Sequence, residues 1–464
     1  MSTTNVTATI PLLVHENREP DVKVREKLLT KVQASRYRNL AGNSFWAFVG
    51  KTGAGLLLAL SSLIAARKLG PTGFGLLAIS LSFLSVLASV VDLRVWEACI
   101  KYGSDFLSRN DSRSLNAVIR LALRLSLVSG MIFAVIAFFL TGYAAAWLHL
   151  PKVWVCTARI LAIGFILMAA NDTGAAVLRL ADRFPLLAAW QAIHGTLRVI
   201  CLLVALTIKA SIISAAAAIA AASLVGSIIL LALSHHTAAR LSNGIIGNIS
   251  RLRPWYGSLV RFLLHSHLGN IWRTIVCNGD VLLVGYLAGS SGAGLYRLAR
   301  ELVQFLLRIT DVLYEALFPE LAMQWVKHRD QFPVYVLHLT RLLAFMGVPA
   351  SLLFIALVGP FLTLTAGVEF LPAATAARIM IWGVLWRIIF VWLTPTAIAI
   401  GRPQYTNLTG LVSAVVLLLL LVSLVPRFGI MGAAAAYTVT SIIGPSLLLF
   451  LCRRVTVCAR PYQS

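Results

Sequence analysis

Between Gly292 and Pro319 the chain is apolar enough to cross a membrane, yet it carries Arg297, Arg300, Glu301, Gln304, Arg308, Asp311 and Glu315. Positions 297, 301, 304, 308, 311 and 315 step by three or four residues, so on a helix they stack along one face. Guanidinium groups grip phosphate or carboxylate oxygens through paired N–H donors and stay charged at any accessible pH. Intramembrane carboxylates take up and release protons or hold a sodium ion. A stripe with both types therefore suits an anionic or strongly polar cargo whose movement is coupled to a cation gradient. Each ionisable group at a bilayer centre costs about 2.5–3.5 kcal/mol, so the stripe must face protein or water.

Other charges lie too deep in apolar runs to lift their heads to the interface. Arg198, Arg273 and Arg387 sit near mid-span, as Arg308 does. With Arg297 and Arg300 they make up the candidate cationic lining, and Trp272, beside Arg273, is placed to stack on a sugar ring. A buried ion pair inside one half of the protein is the competing role for each. The candidate coupling carboxylates are Asp92, which closes an apolar run together with Glu97, and Asp280, Glu301, Asp311 and Glu315. Glu301 follows Arg297 by four residues and Asp311 follows Arg308 by three, so salt bridges along the helix compete with coupling. Asp311 and Glu315, four apart, would raise one another's proton affinity. Arg261, His265, Gly269 and Arg273 recur every four residues and offer a second polar wall.

These side chains need long helices to hold them. Of 464 residues, 59% are hydrophobic and only 12% charged, against about 45–50% apolar and about 25% charged in a soluble domain. Mean hydropathy is +0.85, and apolar runs long enough for about 30 Å of hydrocarbon recur along the chain. Twelve spans are expected, at 44–67, 74–96, 118–146, 153–178, 184–208, 211–234, 258–285, 292–318, 335–364, 371–400, 404–425 and 429–452. The expected organisation is a basic tail (1–40), a first lobe (41–234), a linker (235–257), a second lobe (258–452) and a short tail (453–464).

Lys and Arg concentrate on one side: Lys23, Arg25, Arg109, Arg183 and Arg253 are examples, while the other receives Arg67, Lys68, Lys152, Lys209 and Arg427. The imbalance predicts both termini in the cytoplasm. The net charge of +23 reflects that bias as well as the deep arginines. No signal peptide is expected, because the first 40 residues are polar and charged without an apolar core. Cys99, Cys156, Cys201, Cys277, Cys452 and Cys458 lack metal or disulfide spacing. No phosphate-binding loop signature is found, which argues against direct ATP hydrolysis.

A repeat runs through the chain. Leu69-Gly70-Pro71-Thr72-Gly73-Phe74-Gly75-Leu76 matches Ala288-Gly289-Ser290-Ser291-Gly292-Ala293-Gly294-Leu295 at an offset of 219. Arg183 maps onto Arg402 at the same offset, and Ala215–Ala218 falls opposite Ala433–Ala436 at 218. Six spans per half make the repeat parallel, about an axis along the membrane normal. The expected fold is an all-α polytopic membrane protein of two six-helix lobes related by a pseudo-two-fold, with cargo between them.

The segment SSLIAARKLGPTGFGLLAISLSFLSVL from Ser61 resembles the opening helices of the Wzx-type polysaccharide and oligosaccharide flippase family, with its Leu-Gly-Pro turn between spans one and two. The segment from Gly292 to the Phe318-Pro319 dipeptide is similar to that family's eighth helix, and GRPQYTNLTGLVSAVV with PRFGIMGAAAAYTVTSIIG to its last two. The likeness runs from about Asn43 to Cys452. It implies membership of the multidrug/oligosaccharidyl-lipid/polysaccharide exporter group: a flippase, not an enzyme, in a bacterial inner membrane. The implied cargo is a polyprenyl-pyrophosphate-linked oligosaccharide for surface or exopolysaccharide (such as O-antigen) assembly. Implied partners are membrane lipid and other polysaccharide-assembly proteins, with no nucleic acid, and no cofactor beyond a proton or sodium gradient. The alternatives are a multidrug/cation antiporter or a lipid II flippase of the same fold, or a membrane glycan polymerase or ligase. The short loops argue against the last.

Overall fold

Hydrocarbon offers no partner for backbone N–H and C=O groups, so an apolar run can cross it only as a helix that satisfies its own. The computed structural model describes the backbone of residues 19–458 except 328 and 403. It describes side chains of residues 42–452 apart from 265, 268–273, 275–277, 309–312, 315–316, 319, 328 and 403. The chain folds as α1 (Glu19–Val91), α2 (Val95–Ser108), α3 (Ser112–Trp147), α4 (Lys152–Leu180), α5 (Phe184–Ile208), α6 (Ile212–Leu241), α7 (Tyr256–Lys327), α8 (Phe332–Thr365), α9 (Leu371–Ile389), α10 (Leu393–Ala399) and α11 (Gln404–Cys458).

Among the described residues, eight helical stretches are long and apolar enough to cross a membrane. Two of these, in α1 and α11, are pairs of helices joined across Gly70 and Gly429, and α7 is a third pair joined across Gly289. Six single spans and three pairs make twelve crossings, and an even number returns the chain to the side where it began. Phe139, Phe345, Met346 and Leu364 are largely exposed on the outer surface, where an apolar side chain meets lipid. Small residues take the helix contacts instead, because they let backbones approach closely where lipid gives no hydrophobic push.

The repeat is built into the backbone. Gly70 adopts φ 67°, ψ 177° and Gly289, 219 residues later, φ 75°, ψ 178°. That region is open essentially to glycine alone. The alanine runs match as well: Ala215, Ala216 and Ala218 on α6 are buried, as are Ala433, Ala434 and Ala436 on α11. Helix α6 packs extensively on α4, and α11 on α9. Two lobes of six helices result, and α1 against α7 is the most extensive contact in the molecule.

Several boundaries differ from expectation: α3 begins at Ser112, six residues before the expected 118, and α7 runs to Lys327, nine past the expected 318. Span two ends at Val91, not 96, because Arg94 is left-handed (φ 50°) and its N–H donates to Asp92 Oδ1 at 3.1 Å. Trp96 and Glu97 thereby move onto α2, a short helix with Val95, Cys99, Tyr102 and Phe106 buried. Span ten is broken at residues 390–392, since Pro395 has no N–H and its ring clashes with the carbonyl of Val391. Helix α6 runs to Leu241, past the expected end at 234.

Away from the termini the lobes meet. A Cβ on Gly75 would stand 1.7 Å from the Ser290 carbonyl oxygen, and one on Gly294 would stand 2.3 Å from that of Pro71. Arg67 Nη1 donates to the Leu364 carbonyl at 2.7 Å, and Phe74 packs edge-on against Phe370 at 6.3 Å. This end of the molecule is closed.

Candidate functional site

The charged stripe lies on the second half of α7, beyond Gly289, and three of its residues are held in pairs. Arg297 Nε donates to Glu301 Oε1 at 2.6 Å, the i, i+4 bridge its spacing allows. Arg198, from α5 in the other lobe, borders the same small cavity of about 30 Å³ as Arg297, Glu301, Ser61 and Ser62. Arg198 Nε and Glu301 Oε2 are buried there without a hydrogen-bond partner among the described residues. The space admits water and excludes a sugar.

Arg300 turns inward. Its Nη1 donates to Asp280 Oδ1 at 2.6 Å, and Tyr296 donates its hydroxyl proton to Asp280 Oδ2 at 2.8 Å. The Val281 N–H also reaches Asp280 Oδ1 at 2.8 Å. With the Gln304 amide presenting its oxygen, Arg300 Nε and Nη2 donate to it at 2.8 and 3.0 Å. Asp280 is 1% exposed and Arg300 6%. A buried charge pair of this kind is stable only when hydrogen bonds satisfy its remaining donors and acceptors, as here.

Arg308 is placed differently. Its guanidinium lies over α1, where a Cβ on Gly55 would stand 0.9 Å from Nη1. Only a bare glycine backbone leaves room for it. Among the described residues no carboxylate or carbonyl accepts from Arg308. It is a half-buried cation in the seam between the lobes, nearer the terminus-bearing side than the Arg297–Glu301 pair.

Two larger cavities flank the seam. One of about 480 Å³ lies within the second lobe, bordered by Arg300, Arg387, Tyr314, Thr409 and Ser441 among others. The broken span contributes Phe390 and Val391, so non-helical backbone at membrane depth lines a cavity, the setting that tolerates it. The other cavity, about 230 Å³, is lined mainly by the first lobe, with Thr274 of α7 completing its wall, and carries Asp92 and Asp172. Sequence reasoning missed Asp172. Its signal was available: a carboxylate eight residues inside the end of α4, too deep to snorkel freely.

Asp92 also takes part in a contact between the lobes, for His267 Nδ1 lies 2.8 Å from its carbonyl oxygen. Glu97 is held by Arg94 and by the Ser266 hydroxyl. Of the expected site residues, Arg198, Arg297 and Glu301 come together, as do Asp280, Arg300 and Arg387, whereas Arg308 and Asp92 stand apart from both groups. Trp272, Arg273, Asp311 and Glu315 lie outside the described residues. The arrangement combines a sealed end, a guanidinium in the seam with no acceptor among the described residues, and a cavity on either side of the seam.

Comparison with known proteins accords with this architecture. A family model described as polysaccharide biosynthesis protein matches residues 64–375. An inner membrane protein of Escherichia coli strain K12, YghQ, is 26% identical over 164 residues, 35% of this chain. The matched stretch spans 45% of that relative's length. Among solved structures, the inward-facing conformation of a multidrug resistance MATE family transporter of the MOP superfamily superposes with a TM-score of 0.73 at 13% identity, covering 89% of this chain and 98% of the other. The lipid II flippase MurJ in an inward closed conformation gives 0.66 at 15% identity, with 87% of each chain covered. At such identities the structures share the fold. With more than half of its length matched by the family model, the chain belongs to the polysaccharide biosynthesis protein family, built on the MOP-superfamily transporter fold.

Proposed function

We propose that this protein is an inner-membrane flippase that moves polyprenyl-pyrophosphate-linked oligosaccharides from the cytoplasmic to the periplasmic leaflet by alternating access. The observation that carries the reading is Arg308, a guanidinium in the lobe seam with no protein acceptor among the described residues. Keeping an unpaired cation at membrane depth costs free energy that an anionic cargo offsets. The termini-bearing side is assigned to the cytoplasm from its excess of Lys and Arg. The headgroup enters from there while the polyprenyl tail stays in lipid. The lobes then rock, and the contacts at Gly75, Gly294 and Phe370 separate to release it outward. Family membership supports polysaccharide assembly as the setting.

Coupling to a proton or sodium gradient falls to carboxylates that lack a guanidinium partner. Asp92 and Asp172, which share the first-lobe cavity, meet that condition better than the paired Asp280 and Glu301.

A second reading, a cation antiporter, draws on the same acidic cavity and on the fold shared with a multidrug transporter. Deleting the gene separates the two. The flippase reading expects loss of a surface polysaccharide and accumulation of its lipid-linked repeat unit in the cytoplasmic leaflet. Normal glycan display with altered drug sensitivity would overturn it in favour of the antiporter. Arg308→Ala is expected to reduce glycan export at least tenfold, since about 1.5–3 kcal/mol rides on a charged hydrogen bond to cargo. Its membrane abundance should not change, because Arg308 supports no contact that folding needs. A matching fall in abundance would make Arg308 structural.

A further inference from the structure

The 480 Å³ cavity of the second lobe is a chamber of mixed polar and apolar walls that Arg308 does not line. Three charged residues among the described ones border it: Asp280, Arg300 and Arg387. Asp280 and Arg300 neutralise each other across 2.6 Å. Arg387 is exposed to the cavity and has no hydrogen-bond or ion-pair partner among the described residues. Among the described residues the chamber thus holds a single uncompensated positive charge. A pyrophosphate, with more than one negative charge, is poorly matched to it, while one carboxylate is well matched.

The walls match a sugar. Thr409 donates its hydroxyl proton to the Thr406 carbonyl at 3.1 Å, and Thr440 donates to that of Ala436 at 2.8 Å. Both hydroxyl oxygens therefore keep lone pairs to accept from a ligand's O–H groups. Ser441 is 7% exposed, and its hydroxyl has no partner among the described residues except what enters the chamber. Tyr314 and Phe390 add ring faces. A cavity of this size takes one or two sugar rings, and an apolar lipid tail would leave the arginine and hydroxyls unsatisfied.

The first lobe supplies an internal comparison. At the repeat offset of 219, Arg387 corresponds to Met168 and Val391 to Asp172, and all four border their respective cavities. Equivalent chambers in the two halves have opposite charge. Of these two chambers, the first repels an anionic sugar and the second attracts it.

We infer that the second-lobe chamber is a binding site for a monoanionic sugar, a uronic acid or similarly carboxylated unit of the cargo, with Arg387 as its carboxylate ligand. The assignment of that sugar to cargo rests on the flippase reading, whereas its binding does not.

The test uses the full-length protein in lipid nanodiscs and measures binding of sodium glucuronate, glucose, glucuronic acid methyl ester and inorganic pyrophosphate. Glucuronate is expected to bind at least tenfold more tightly than glucose or the neutral ester, a ratio that needs no variant. Arg387→Gln should weaken glucuronate binding about tenfold, the loss of one charge-assisted bidentate contact. Arg387→Lys should restore part of it, and Ser441→Ala should weaken it less. Equal binding of the ester, no binding of glucuronate, or undiminished binding by Arg387→Gln would each overturn the inference. Pyrophosphate is the separate arm: its binding should depend on Arg308. If that arm fails while glucuronate still depends on Arg387, the flippase reading falls and the sugar site stands.

Discussion

An arginine inside this membrane protein is defined by what accepts its protons. Arg300 has Asp280 at 2.6 Å and the Gln304 oxygen beside it, so its charge is spent on structure. Arg308 has a glycine backbone beneath it and no acceptor among the described residues. Removing one member of a buried pair strands the other, at about 3–5 kcal/mol. Asp280→Ala is therefore expected to lower the thermal unfolding temperature sharply, and adding Arg300→Met should recover most of the loss. Losses from the two substitutions that simply add would show that the pair is not coupled. The bridge of Arg297 to Glu301 was legible in the sequence, because four-residue spacing on a helix fixes the contact. Neither the Asp280 partner of Arg300, twenty residues away on the facing helix, nor the burial of Arg198 beside Glu301 was. Partner choice there depends on how helices dock, which no local spacing encodes.

At the scale of elements, glycines do what no other residue does at two equivalent kinks. Gly70 and Gly289 both combine positive φ with ψ near 180°, a conformation that costs a side-chain-bearing residue about 1–3 kcal/mol. Gly70→Ala and Gly289→Ala should each destabilise the protein by that amount, measured by unfolding in detergent. Gly53→Ala is the control: it sits in regular helix with nothing within 4 Å of a new Cβ, and should be neutral or stabilising by up to about 1 kcal/mol. Unequal effects at Gly70 and Gly289 would count against equivalent kinks. The kinks were legible because the repeat preserves both glycines in register. The break at 390–392 was not, since Pro395 reads in sequence as a tolerated bend of a membrane helix. The stop of span two at Val91 was hidden too, because the apolar run continues through Leu93, Val95 and Trp96 into α2.

For the molecule as a whole, the repeat also supplies the seal between the lobes. Adding 219 to residues 71 and 75 gives 290 and 294, and the contacts observed are Gly75 with Ser290 and Gly294 with Pro71. Each lobe thus presents the same patch to the other, an isologous contact about the pseudo-two-fold. Such a contact brings backbone against backbone at the centre of the seal, with the Arg67–Leu364 and Phe74–Phe370 contacts beside it. A valine at either glycine has no space, because its Cβ would stand 1.7 or 2.3 Å from a carbonyl oxygen that belongs to the opposite lobe. Gly75→Val and Gly294→Val should therefore wedge this end apart and bias the protein toward the state open on the side away from the termini. The readout is a cysteine introduced by Ala293→Cys, at a position 0% exposed in the closed form, in a background with the native cysteines replaced by serine. Labelling of intact cells by a membrane-impermeant maleimide should rise severalfold with either valine and to the same extent with both. Because the wedge holds one end open, polysaccharide export should fall in both variants while the protein stays in the membrane. A rise with one valine and not the other would mean that the seal is carried by one lobe's loop, and the two-fold account of gating would fail.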